Sequence, residues 1–161
     1  MEFSGPNGKV TMTLATPLND GVCLMLQSLA LFDTSETKHL EINFNSNPAS
    51  YPPYNTLSPM KDLRTLELYR CKTPDIFIRA LDPTNSSSGV VVCPKLEEFI
   101  MNYEGTLDVK SVIGMAAARG SSGAELKSLG ISSPWGGPNL AQSDVSELEK
   151  HVFRLELVSE W

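Results

Sequence analysis

Two histidines, three cysteines and a few adjacent carboxylates are the residues of this chain whose types could do chemistry. Nucleophilic catalysis needs a serine or cysteine set against a base, as in a G-x-S-x-G turn. Neither His39 nor His151 has such a partner nearby in the sequence. His39 directly precedes an apolar ladder and reads as a strand-face residue. His151 ends a helical stretch, where an imidazole suits the negative end of the dipole. Glu97 and Glu98 lie in a strand-like segment, so they point to opposite faces and are poorly placed for acid/base work. Cys23, Cys71 and Cys93 are odd in number, far apart and set among apolar residues. A disulfide framework or zinc site would want even numbers or C-x-x-C pairs. They read as buried free thiols of a reducing compartment, which places the protein inside the cell, in cytoplasm or nucleus. Asn85-Ser86-Ser87 fits a glycosylation acceptor, but that tripeptide is common by chance and no secretion signal accompanies it. Gly120-Ser121-Ser122-Gly123 follows a helical stretch, whereas a phosphate-binding loop precedes one. No catalytic residue, cofactor or metal is expected, and the chain does not read as an enzyme.

Composition narrows the classes further. A net charge of -6 argues against a nucleic-acid surface, which relies on clustered Lys and Arg. No run of about 18 apolar residues exists, so no membrane span is expected. Met1 to Pro17 lacks the basic-then-apolar layout of a secretory signal. At 161 residues, the chain is long enough for one domain with a real core.

The elements that position these residues announce themselves by recurrence. A ladder of the form L-x-x-L-x-L is clearest at Leu63, Leu66 and Leu68, followed by Cys71. Variants occur at Leu40-x-Ile42, Leu96-x-x-Phe99-x-Met101, Leu126-x-x-Leu129-x-Ile131 and Val152-x-x-Leu155-x-Leu157. Anchored on positions 40, 66, 99, 129 and 155, the intervals are 26, 33, 30 and 26 residues. Such a period marks a repeat solenoid, in which each unit buries its apolar face against its neighbours. Within each ladder, apolar residues two apart indicate a strand with one buried face. Val10, Met12 and Leu14 suggest a further strand near the start.

Helix signals fill the gaps. Thr73-Pro74 reads as an N-cap and first helical position, with Asp82-Pro83 as the stop. Asp108 caps a helix through Val112 and Ala116, and Gly120 supplies its left-handed end. Asp144 with Glu147 reads as a capping box, and Asn19 or Asp20 could cap a helix through Val22, Leu26 and Ala30. Asn45 to Pro59 is too rich in proline for a helix and is expected to cross in extended form. Thr84 to Gly89 and Pro134 to Asn139 read as loops, with Trp135 either sealing the latter against the core, the commoner role, or contacting a partner. Alternating strand and helix implies parallel strands with right-handed crossovers.

Strand parity then maps the opposite face. With Leu66 and Leu68 inward, Thr65, Glu67 and Tyr69 face out, joined by His39, Glu41 and Asn43 from the preceding ladder. Glu98, Ile100 and Asn102 follow, then Ser128, Gly130 and Ser132, then Arg154, Glu156 and Val158. From this set the candidate protein-binding face is His39, Glu41, Asn43, Thr65, Glu67, Tyr69, Glu98, Asn102, Arg154 and Glu156. Tyr69 and Arg154 are of the types that most often anchor interfaces.

Several ordered blocks, between about 37 and 158, carry a family resemblance. They are Leu63-Arg-Thr-Leu66-x-Leu68-x-x-Cys71, Phe77-Ile-x-Ala80-Leu81-x-Pro83, Cys93-Pro-x-Leu-Glu-Glu98, Met115-Ala-x-x-Arg119, Gly123-Ala-x-Leu-x-Ser-Leu-x-Ile131 and His151-Val152. Together they resemble the leucine-rich-repeat region of basidiomycete (mushroom-lineage) F-box proteins. The resemblance implies a horseshoe-like domain that recruits targets for a cullin-type ubiquitin ligase, an N-terminal F-box docking the Skp adaptor. Met1 to Pro17 contains no F-box-like helical segment, which puts direct adaptor docking in doubt. The expectation is an α/β chain, residues 1–161 forming a single short leucine-rich-repeat solenoid of five or six units. A parallel curved sheet would carry helices on its outer face and bind an unknown protein target. The alternative is a stand-alone or truncated repeat protein with a structural or undefined binding role and no ligase link.

Overall fold

The structure, a computed structural model, describes residues 2–4, 9–14, 34–44, 53–86, 89–134 and 138–158. Its ladders form strands β1 (Glu2–Ser4), β2 (Lys9–Leu14), β3 (His39–Phe44), β4 (Thr65–Cys71), β5 (Glu98–Tyr103), β6 (Leu126–Ser132) and β7 (Val152–Val158). They lie side by side in chain order as one sheet, β1 antiparallel to β2 and every later pair parallel. The helices are α1 (Tyr54–Leu57), α2 (Asp75–Leu81), α3 (Val109–Ser121) and α4 (Gln142–Leu148). Each packs on the next, giving one helical layer along the sheet. The fold is therefore α/β with a parallel sheet, as expected.

Register is where periodicity becomes geometry. Leu40, Leu66, Phe99, Leu129 and Leu155 are successive cross-strand neighbours, as are Ile42, Leu68, Met101, Ile131 and Leu157. The five anchors chosen from spacing alone thus stand in one row. Through Leu129 and Ile131 these rows are buried, together with Leu63 and Leu96 just before their strands, Leu126 at the start of β6, and Phe77, Val112, Met115 and Leu148 from the helices. Each such side chain contributes about 1.5–3 kcal/mol by leaving water. The turns repeat as faithfully as the rows. The Lys38 carbonyl accepts from the N–H groups of Arg64 and Thr65, that of Arg64 from Glu97 and Glu98, and that of Glu97 from Lys127 and Ser128.

Local signals fared unevenly. Asp108 caps α3 as expected, its side chain accepting from the N–H groups of Lys110 and Ser111. Asp82 ends α2 and accepts from the Thr84 N–H and hydroxyl, opening a 3-10 turn at Pro83–Asn85 inside the expected loop. Thr73 does not cap α2: the cap residue is Pro74, and the Thr73 hydroxyl finds no partner. The left-handed residue after α3 is Gly123 (φ 72°), not Gly120, because the helix runs on to Ser121. No capping box forms at Asp144, because α4 starts earlier and leaves Asp144 inside the first turn, paired with Lys110 (2.6 Å). Tyr54–Leu57 is a helical turn within the stretch expected to be extended. The helix expected over Val22 to Ala30, and Cys23 and Trp135, lie outside the described residues.

Candidate functional site

Helices cover one side of the sheet, and the other side carries the residues placed there by strand parity. His39, Glu41, Asn43, Thr65, Glu67, Tyr69 and Glu98 are all partly exposed. Parallel pairing sets Glu41 directly beside Glu67 and His39 beside Thr65. Glu67 becomes the hub: its carboxylate lies 3.3 Å from His39 Nε2 and accepts from the Tyr69 hydroxyl at 2.5 Å. Burial and that bond to Glu67 push the Tyr69 phenol well above its ordinary value, so it stays a donor. One strand further, Thr65 Oγ1 donates to Glu98 at 3.4 Å.

A bulge reshapes the far end of this face. Between Leu68 and Cys71 the β4–β5 register shifts, so Tyr69 and Arg70 together oppose Asn102, and Arg70 takes a left-handed φ of 57°. The Arg70 N–H freed by the bulge donates to Asn102 Oδ1 at 3.2 Å, and Asn102 Nδ2 donates to Ser132 Oγ at 2.9 Å. Asn102 is therefore buried and braces the sheet, which corrects its placement on the exposed face. Around it Asn43, Tyr69, Arg70, Glu104 and Pro134 line an open cleft of about 300 Å³. Gly130 and Ser132 are also buried, so the centre of the face is low and its rims are charged. At the last strand Arg154 is exposed and ion-paired with Glu156.

The chemistry available here is recognition through polar and charged groups. The ligand atoms of His39, Glu41 and Glu67 lie within 4.8 Å of one another, which is the set among the described residues best able to hold a cation. The ladder anchors already set Glu41 and Glu67 at equivalent outward positions, and what the sequence did not show is how closely their ligand atoms approach His39. The Tyr69 phenol already donates to Glu67, while His39 Nε2, 3.3 Å from it, makes no hydrogen bond. The thiols of Cys71 and Cys93 are buried and free, and burial pushes both up to about 12. A thiol held protonated in this way is no nucleophile at neutral pH. His151 lies beyond α4, with Nε2 at 3.4 Å from Glu147. Arg119 of the Met115–Arg119 block turns out to be fully buried, its guanidinium donating to the carbonyls of Leu81 (3.3 Å), Val92 (2.9 Å) and Cys93 (2.9 Å). Its role is to tie α3 to the connection between α2 and β5.

No described helix is long and apolar enough to cross a membrane. Comparison with protein-family profiles, curated proteins and solved structures yields no match, so function has to be argued from the geometry alone.

Proposed function

We propose that the units are leucine-rich repeats forming a short solenoid, and that the uncovered sheet face binds another protein. The single observation behind this reading is the alignment of six parallel strands in chain order, one side covered by helices and the other presenting polar side chains in rows. Repeat scaffolds use such extended faces for binding. Glu41, Glu67, Glu98 and Glu156 outnumber the basic groups His39 and Arg154 along the rows, so the target segment is basic or rich in donors. Tyr69 is the anchor, since a partly buried aromatic beside a cleft is the type that dominates binding energy. Buried free thiols favour an intracellular setting. By resemblance, the module would select substrates for a cullin-type ubiquitin ligase.

Affinity enrichment from the native cell tests this reading. Tagged chain is compared with a Glu67→Lys/Tyr69→Ala variant, and a protein retained by the first and lost by the second identifies the target. Skp adaptor or cullin in the same fraction supports the ligase link. Their absence, with the target retained, supports a stand-alone repeat protein. Identical captures by both chains would sink the face as the binding surface.

A further inference from the structure

We propose that two copies of this chain pair through their β7 strands, antiparallel and two-fold about Leu155, so that the sheet continues across a homodimer. This goes beyond the binding role of the sheet face and does not rest on it. Among the described residues β7 is hydrogen-bonded to β6 alone and forms one edge of the sheet. Exposed strand edges are normally blunted by shortness, lysine, proline or a bulge. The opposite edge obeys this, since β1 has three residues. β7 has seven, with the sequence VFRLELV; it has no lysine, proline or bulge, and its only charges, Arg154 and Glu156, pair with each other. It instead exposes Phe153 (91%) and Leu157 (39%), two of the four large apolar side chains exposed among the described residues.

The order of side chains along β7 selects the occupant and the register. In an antiparallel pair, residues directly opposite point to the same side of the sheet. A two-fold axis at Leu155 sets Leu155 beside its own copy, Arg154 opposite Glu156 of the second copy, and Phe153 opposite Leu157. Both charges then meet opposite charges, and the exposed apolar groups cover each other. An axis at Arg154 or Glu156 would set like charges face to face, which is unfavourable. An axis at Phe153 or Leu157 would bring no Arg154–Glu156 pair across the interface. The edge is thus self-complementary in one register, as an isologous interface requires.

Sedimentation equilibrium of the 161-residue chain, over a wide concentration range, tests the pairing. The expected species has twice the 17.6 kDa mass of the chain. Arg154→Glu and Glu156→Arg should each weaken dimerisation about tenfold or more, and the doubly reversed chain should recover it. Phe153→Ser should also weaken it while circular dichroism stays unchanged, because that ring is exposed. A chain that remains monomeric throughout overturns the proposal. So does a dimer indifferent to the charge reversals, or a double reversal no better than either single one.

Discussion

Arg119 shows how a single residue can carry more of the fold than its type suggests. A buried guanidinium is costly unless its donors are met; here its two terminal nitrogens donate to the carbonyls of Leu81, Val92 and Cys93, while Nε has no partner. Arg119→Met should leave those carbonyls orphaned and cost about 2–4 kcal/mol in chemical denaturation. Arg119→Lys should recover only part of that, since an ammonium lacks the planar fork. The two described cysteines give a second test at this scale. Because burial raises both thiols to about 12, Cys71 and Cys93 should resist maleimide in the native chain and react on unfolding, as read by peptide mass mapping. Rapid native labelling of either would contradict their burial.

At the scale of elements, α3 depends on its cap. The Ser111 hydroxyl (2.7 Å) and the N–H groups of Ser111 and Lys110 hold the Asp108 carboxyl below its ordinary value of 3.8. A carboxyl whose folded value is depressed adds stability that is full above the unfolded value and fades as pH falls through the folded one. Asp108→Ala should therefore cost about 1 kcal/mol at neutral pH. The gap between wild type and variant in thermal melts should narrow progressively below pH 3.8. A gap constant with pH would mean that the carboxylate's charge is not what caps the helix. The sheet edge belongs to the same scale: among the described residues β7 pairs on one side only, and the homodimer proposed above would cover its exposed side chains.

Across the whole molecule, stability is spread along rows of ladder residues. Leu66 and Leu129 are both fully buried and stand in one row with Phe99 between them. Replacing either by Ala should cost about 2–5 kcal/mol, because both are fully buried in the one core. Thr65→Ala, on the uncovered side, should cost little. Urea melts of the three variants check this, and equal, small effects at all three would refute the strand parity. The surface ion pairs from Arg64 through Glu97 to Lys127 follow the same stacking. They are exposed and add little.

What the sequence determined by itself was one-dimensional. Alternation along a strand is local, so burial of Leu66 and Leu68 and exposure of Thr65 and Glu67 followed from spacing. Equal ladder positions became cross-strand neighbours because a parallel stack in chain order preserves them. Only tertiary structure decided what depends on register, on closure between distant segments, or on where a helix starts. The bulge at Tyr69–Arg70 buried Asn102, and pairing of β3 with β4 gathered His39, Glu41 and Glu67. Arg119 found its carbonyls across connections that no local pattern could place. The Asp144 capping box failed because α4 begins two residues ahead of it, which leaves Asp144 in the first turn, paired with Lys110 of α3. Periodicity specifies a row of side chains; the fold alone specifies which atoms meet across it.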